Sequence, residues 1–228
     1  MELVGIENSR IIFLTHVHRP AGQLYFPDAV EKLINRYSFF KAPAPDQTTQ
    51  PFVFGLGKFN EAQITELSIY PDGFIVSSAS DTDILNAFIG DLTSWAESEL
   101  GLVSMPGSRT ETFYESTIVV RSREDLSFAL QPKTDALTET LANALKSVGI
   151  NTSLKLSGFL FDFDPEEFKG KRKPFRFVVD RRLGMPFSDD LFFSQGPFRT
   201  KDHFDVLRSF EDFAIRHGAA LSRRRRGR

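Results

Sequence analysis

The chain has 228 residues, of which 41% are hydrophobic and 25% are charged, and its formal net charge is −2. These values are typical of a globular protein that can bury a full core. The absence of cysteine excludes disulfides, thiolate nucleophiles and cysteine-ligated metals. No basic segment followed by an apolar run opens the sequence, and no apolar stretch is long enough to span a bilayer. We therefore expect a soluble, unsecreted, cytoplasmic protein.

The first part of the chain predicts a strand, a helix and a second strand. Residues 10–16 form a short apolar run rich in β-branched side chains, which is typical of a buried strand. Pro27 and Asp28 then open a helix whose apolar face consists of Val30, Leu33, Ile34 and Tyr37. The proline-rich residues 41–51 predict an exposed loop, and residues 52–56 predict the next strand.

The clearest local pattern is a hairpin. Residues 63–70 alternate with the period of two that a strand with one strongly apolar face requires. Pro71-Asp72-Gly73 combines a fixed φ angle, an aspartate that can bond its own backbone and a glycine that tolerates positive φ. This turn predicts that residues 74–78 return as the antiparallel partner.

A long amphipathic helix follows the hairpin. Ser80 and Asp83 have the spacing of a capping box, which places the start of the helix near Asp81, and Gly101 is positioned to end it. Its apolar face consists of Leu85, Phe88, Ile89, Leu92, Trp95 and Ala96.

The second part of the chain predicts the same kinds of element. Strands are predicted within residues 110–121 and over residues 154–163, 175–181 and 191–194. Thr134 is the predicted cap of a helix that Gly149 ends and that carries Leu137, Leu141, Leu145 and Val148. A last helix is predicted from Thr200 to Gly218, with inward residues Phe204, Leu207, Phe210 and Ala214.

Residues 10–101 and 110–218 therefore share the element order β-α-β-β-β-α. We predict an α+β fold of two similar halves, in which antiparallel, hairpin-rich sheets carry amphipathic helices on one face. The predicted domains are residues 1–109 and 110–221, followed by a basic tail at 222–228. The alternative is that both halves form one compact domain.

Two pairs of polar side chains have the geometry of neighbouring metal ligands. His16 and His18 lie two residues apart, as do Asp162 and Asp164, so each pair shares one face of an extended strand. Two ligands are not a site, because zinc normally takes three or four from the protein. We interpret the histidines as a strand-end pair and the aspartates as part of a half-exposed strand. No metal or cofactor is predicted.

Sequence motifs of common enzymes are absent from the chain. The glycines after residue 54 do not complete a dinucleotide-binding fingerprint, and no phosphate-binding loop, nucleophile elbow or zinc-protease helix occurs. We therefore favour a non-catalytic protein.

Positive charge is concentrated in two segments. Residues 169–182 combine seven cations and one acid with two phenylalanines, and five of the 28 lysines and arginines lie in the last six residues. Cations with interleaved aromatics are typical of nucleic-acid binding, but a solvated hairpin and a solvated terminus have the same composition. The candidate nucleic-acid contacts are Lys169, Lys171, Arg172, Lys173, Arg176, Arg223, Arg224, Arg225 and Arg226.

Phenylalanine is the most unusual feature of the composition. The chain has 24 phenylalanines, and 13 of them lie between Phe159 and Phe213. Aromatic side chains favour partner surfaces. Our leading hypothesis is a non-catalytic protein-binding or self-assembly module whose partner is another protein or a second copy. A nucleic-acid-associated protein is the alternative, and an enzyme with an unrecognised site comes third.

Overall fold

The computed structural model describes residues 1–226 except positions 21, 23, 45, 48, 124, 127–130 and 170–171; positions 227–228 also lie outside it. At 131–133 and 217–226 only the backbone is described. The chain divides into two compact units. The N-terminal unit comprises Ile6–Thr117 and Pro197–Lys201, and the C-terminal unit comprises Met1–Gly5, Ile118–Gly196 and Asp202–Arg228. The predicted domain boundaries stay predictions.

The described residues form four α-helices and ten strands. The helices are α1 (Phe26–Tyr37), α2 (Thr82–Leu100), α3 (Gln131–Ser147) and α4 (Thr200–Arg226). The strands are β1 (Glu2–Leu14), β2 (Val17–His18), β3 (Phe52–Phe59), β4 (Ala62–Tyr70), β5 (Gly73–Ser78), β6 (Val103–Ser104), β7 (Glu111–Arg121), β8 (Gly158–Phe161), β9 (Phe177–Arg181) and β10 (Leu191–Gly196). Within the described part of the chain, no helix has the length and apolar character needed to cross a bilayer.

The N-terminal unit is built on strands in the order β3-β4-β5-β1, and these neighbours pair antiparallel. Val76 of β5 lies opposite Ile11 of β1 and Leu67 of β4, which forms an apolar row across the sheet. The predicted turn at residues 71–73 joins β4 to β5. Helices α1 and α2 pack on this face of the sheet, which we call the floor.

Helices α1 and α2 cover this floor and complete a buried core. Trp95 of α2 is 8% exposed, which confirms the predicted face of this helix. The residue that caps α2 is Asp81, whose carboxylate accepts the N–H of Asp83 at 2.8 Å, so the predicted role of Ser80 is wrong. Gly101 ends α2 in the left-handed conformation, as predicted.

The C-terminal unit contains β10, β9 and β8 in this spatial order and, beside β10, the end of β7 from Ile118 onward. Val179 of β9 lies opposite both Ser194 of β10 and Phe159 of β8, and both pairings are antiparallel. Leu207 and Ala214 form part of the buried face of α4.

The two halves repeat the same topology. The order β1-α1-β3-β4-β5-α2 recurs as β7-α3-β8-β9-β10-α4, and the spatial order β3-β4-β5-β1 recurs as β8-β9-β10-β7. Strand β10 and helix α4 begin 118 residues after β5 and α2, respectively. The predicted α+β fold of two similar β-α-β-β-β-α halves is thereby confirmed.

Two buried threonines hydrogen-bond each other at the starts of α2 and α4. Thr200, the first residue of α4, belongs to the N-terminal unit together with Thr82. The N–H of Thr82 donates to Oγ1 of Thr200 at 3.1 Å, and the N–H of Thr200 donates to Oγ1 of Thr82 at 3.0 Å. Because the first N–H groups of a helix have no partner within it, each threonine caps the other helix.

Several predicted boundaries are wrong. Strand β1 begins at Glu2 rather than at residue 10, because pairing extends a strand through residues that lack apolar alternation. Strand β8 covers only Gly158–Phe161 of the predicted residues 154–163. It starts where the backbones approach closely: a Cβ built on Gly158 would lie 2.3 Å from the carbonyl oxygen of Val179.

Two helices are longer than predicted. Helix α3 begins at Gln131 rather than after Thr134, since the proline at position 132 fits the first turn of a helix. Helix α4 continues past Gly218 to Arg226, because the alanines and leucine that follow the glycine are strong helix formers.

We predict that Gly73→Ala lowers the stability of the N-terminal unit by more than about 2 kcal/mol. Gly73 has a φ of +144°, and a Cβ there would lie 2.1 Å from the carbonyl oxygen of Phe13. Gly90→Ala is the matched control: this exposed glycine within α2 has nothing within 4 Å of its built Cβ. The control should raise stability by about 0.5–1 kcal/mol, as helix propensity requires. Urea unfolding followed by Trp95 emission measures both changes, and equal effects would contradict the backbone assignment.

Candidate interaction surface

An apolar groove lies between α4 and β8 in the C-terminal unit. It has a volume of about 450 Å³, and all but one of its described lining residues are apolar. We call it the aromatic groove, defined by Leu126, Phe159, Phe161, Val206, Ser209, Phe210 and Phe213.

The local sequence explains why these side chains converge. Phe159 and Phe161 lie two residues apart on β8 and therefore share one face of the strand. Val206, Phe210 and Phe213 are spaced by four and three residues and therefore share one face of α4. A strand face and a helix face of matching chemistry thus form the two walls.

The rings within the groove contact one another. The ring centroid of Phe210 lies 5.2 Å from that of Phe159, 5.9 Å from that of Phe161 and 5.8 Å from that of Phe177. These separations are typical of favourable aromatic packing. The rings of the two walls therefore form one connected aromatic cluster with Phe177.

Part of this aromatic surface is exposed to solvent. The side chain of Phe161 is 51% exposed, and that of Phe213 is 41% exposed. Leu160 is 50% exposed as well, but it lies on the opposite face of β8. Contiguous exposed apolar surface in a globular protein marks an interaction site more often than scattered apolar residues do.

In the N-terminal unit the equivalent surface is covered. The shift of 118 residues makes Phe88, Leu92 and Trp95 the counterparts of Val206, Phe210 and Phe213. Strand pairing makes Phe54 the counterpart of Phe159. Phe54 pairs with Leu67, which lies opposite Val76, and Phe159 pairs with Val179, which lies opposite Ser194. Val76 and Ser194 are separated by the same 118 residues. All four counterparts are buried.

Helix α1 provides this cover. The ring centroid of Tyr37 lies 4.9 Å from that of Phe88 and 6.3 Å from that of Trp95. The hydroxyl of Tyr37 donates to Oδ2 of Asp91 at 2.7 Å, and Nη2 of Arg36 donates to Oδ1 at 2.7 Å. Burial raises the pKa of Tyr37, and the hydrogen bond from Arg36 lowers the pKa of Asp91. The counterpart of Asp91 on α4 is Ser209, which lines the groove.

Helix α3 occupies the position in the chain that corresponds to α1, but two of its three leucines are exposed. Leu137 is 59% exposed, Leu141 is 46% exposed and Val148, just beyond the last residue of the helix, is 71% exposed. The second half therefore presents both an aromatic groove and an apolar helix face to solvent.

A buried carboxylate anchors the wall of the groove that α4 forms. Glu211 is 1% exposed. Its Oε1 accepts the hydroxyl of Ser122 at 2.9 Å and the N–H of Arg123 at 2.7 Å. Its Oε2 lies 2.7 Å from both the guanidinium of Arg123 and the amino group of Met1. Burial by itself would raise the pKa of Glu211, but these hydrogen bonds lower it to about 2.

The predicted metal ligands take part in local structure. Oδ1 of Asp162 accepts Nζ of Lys173 at 2.7 Å, which lowers the pKa of Asp162, and Asp164 caps a short 3₁₀ helix. His16 is exposed, and His18 is half-buried in β2. The described residues contain no group of three or more histidines, aspartates or glutamates that could hold a metal ion.

The predicted nucleic-acid contacts divide into three groups. Lys169 lies 2.7 Å from a carboxylate oxygen of Glu166, and Lys173 is paired with Asp162 as above. Arg172 and Arg176 are exposed, and Lys171 lies outside the described residues. The backbone of Arg223, Arg224, Arg225 and Arg226 continues α4, and their side chains are not described.

The serine–histidine pair in the C-terminal unit is structural. Oγ of Ser194 lies 2.8 Å from Nε2 of His203, and both side chains are fully buried. The serine hydroxyl also donates to the carbonyl oxygen of Val178 at 2.7 Å, so its proton is committed to the backbone. The pair connects α4 to β10 and β9.

Sequence reasoning missed the anchoring role of Glu211 and the burial of His203. A signal was present, because both residues lie on the same helix face as Leu207 and Ala214. A charged residue in an apolar stripe indicates a buried polar contact. Its partners Ser122 and Arg123 could not be identified from the sequence, since they lie 88 to 89 residues away.

Comparisons with known proteins give limited information about this chain. No protein-family model matches it, and no curated protein matches it significantly. Among solved structures it is similar to Methanococcus jannaschii TBP, with a TM-score of 0.42 and 12% sequence identity over 93% of this chain and 98% of that chain. A similarity of this size supports no argument about function.

We predict that the stability of the C-terminal unit falls as the pH is lowered from about 4.5 toward 2, and that Glu211→Gln removes most of this dependence. The folded-state pKa of Glu211, about 2, lies below the ordinary value of 4.5. The carboxylate therefore stabilises the folded state above the ordinary pKa and stops doing so as it is protonated. At pH 7 the substitution should cost about 2–3 kcal/mol.

Asp212→Asn is the control, because Asp212 is the adjacent carboxylate and is 63% exposed. Thermal unfolding across this pH range, followed by circular dichroism, distinguishes the two positions. An acid dependence that persists in Glu211→Gln would contradict the assignment.

Proposed function

We propose that this chain is a non-catalytic protein-binding module and that the aromatic groove binds an amphipathic helix of a protein partner or of a second copy. The observation that carries the proposal is the exposed cluster of phenylalanine rings between β8 and α4. A cytoplasmic location stays a prediction.

The shape and chemistry of the groove favour a helix over other ligands. Helix-binding grooves are apolar channels that receive residues spaced by three and four along one face of the ligand. In the N-terminal unit the same surface holds α1, whose Tyr37 packs against Phe88 and Trp95. The groove therefore has the surface that a repeat of this fold uses to hold a helix.

The local ion pairs argue against the basic segment as the main binding surface. Lys169 and Lys173 are already paired with the carboxylates of Glu166 and Asp162, which precede the segment. A phosphate would have to displace these carboxylates, which lowers the gain from each contact. The nucleic-acid hypothesis stays a prediction.

We predict that Phe161→Asp weakens binding of an amphipathic helix at least about tenfold, as expected when an aromatic anchor is lost. The probe is a designed, fluorescently labelled helical peptide with leucines at i, i+4, i+8 and i+11, and anisotropy measures its affinity. The recipient carries Leu141→Asp so that its own α3 cannot compete for the groove.

Leu160→Asp is the matched control, because Leu160 is equally exposed but lies on the other face of the same strand. It should leave the peptide affinity unchanged. Thermal melting must show that both variants remain folded. Equal losses at the two positions, or no binding of the peptide by the Leu141→Asp recipient, would contradict the proposed function.

We also predict that deletion of residues 223–228 leaves both thermal stability and DNA affinity at near-physiological salt unchanged. A terminus that is solvated contributes to neither. Retention on a DNA column across a salt series measures the effect. If the truncated chain elutes at lower salt than the full chain, the arginines contact phosphate and the nucleic-acid hypothesis replaces the protein-binding one.

A further inference from the structure

We propose that the helix which fills the aromatic groove is α3 of a second copy of this chain, so that two chains exchange α3 helices in a symmetric dimer. This inference rests on the proposed function, and it names the partner of the same groove.

The ends of α1 and α3 align the two helices. Helix α1 is followed by Ser38, which has a φ of +52°, and α3 leads to Gly149, which has a φ of +86°. Both residues adopt the left-handed conformation that commonly ends a helix. Aligning them makes Tyr37 the counterpart of Val148.

The apolar residues of the two helices then coincide. The counterparts of Leu137, Leu141, Leu145 and Val148 are Phe26, Val30, Ile34 and Tyr37. In α1 these residues belong to, or pack against, the buried core. The apolar face of α3 therefore corresponds to the face by which α1 packs against the core of the N-terminal unit.

The groove and the face of α3 are complementary and are both exposed within one chain. Exchange between two copies satisfies both surfaces at once and closes the assembly with two identical contacts. Each contact covers the half-exposed apolar residues of one α3 and the exposed rings of one groove.

The oligomeric state gives the first test. Light scattering after size exclusion should detect a dimer of the full chain. Leu141→Asp, on the apolar face of α3, should weaken dimerisation at least about tenfold. Asn143→Asp adds the same charge to an exposed position off that face and should leave the dimer intact. A monomeric parent chain, or equal effects of the two substitutions, would overturn the proposal.

Cross-linking decides which chain supplies the helix. The chain contains no cysteine, so Val148→Cys and Ser209→Cys can be introduced into separate chains. These positions correspond to Tyr37 and Asp91, which are hydrogen-bonded in the N-terminal unit. After the two variants are mixed and refolded together, a short bismaleimide should join one chain of each type, as identified by mass spectrometry with one chain isotopically labelled.

The double variant Val148→Cys/Ser209→Cys tests whether α3 enters the groove of its own chain. Cross-linking within a single chain, without a mixed product, would show that α3 enters its own groove and would overturn the exchange. The designed peptide distinguishes this failure from failure of the proposed function. If the peptide binds the Leu141→Asp chain while no mixed cross-link forms, the groove binds helices but exchange is excluded. If neither occurs, both proposals fail.

Discussion

The mutual capping of Thr82 and Thr200, both in the N-terminal unit, is the constraint that sets where α2 and α4 begin. Two helix N-termini that are buried together would leave several N–H groups without water, and each such group costs about 1–3 kcal/mol. Here each threonine hydroxyl accepts the N–H of the other residue. The positions at which α2 and α4 begin are therefore fixed, and so are the residues that each helix presents to its own sheet. In α4 this register directs Phe210 into the groove and Glu211 toward Arg123.

The two halves share one topology but differ in how their aromatic surfaces are covered. In the first half, α1 covers the aromatic surface of α2 and β3, and the contact is reinforced by Arg36 and Tyr37 at Asp91. In the second half, the corresponding surface carries Ser209 in place of the aspartate, and α3 carries leucine and valine in place of aromatic residues. A contact of α3 with the groove would therefore lack the hydrogen bonds that hold α1 in place. A contact that depends on apolar packing alone is well suited to exchange between molecules.

The polar anchors explain how a unit with an exposed aromatic face stays ordered. Glu211 and His203 are buried on the face of α4 next to the one that lines the groove, and both are hydrogen-bonded, His203 to the buried Ser194 of β10. Arg181 is likewise held by the carboxylates of Asp125 and Asp190. These contacts are directional, so they fix the helix and the strands without requiring that the groove be filled. The polar contacts therefore hold the walls of the groove in position whether or not a helix is bound.

The sequence by itself determined the class of fold, the repeated element order and the buried faces of α1 and α2, because strand alternation, turn chemistry and helix periodicity are local properties. Trp95 and Gly101 were predicted correctly for this reason. Four of the phenylalanines concentrated after residue 158 line the aromatic groove. Only the tertiary structure decided which rings are exposed, that β1 begins at Glu2, and that Glu211 meets Arg123 and Met1. These features depend on contacts between residues far apart in the chain, whose energies leave no periodic trace in the sequence.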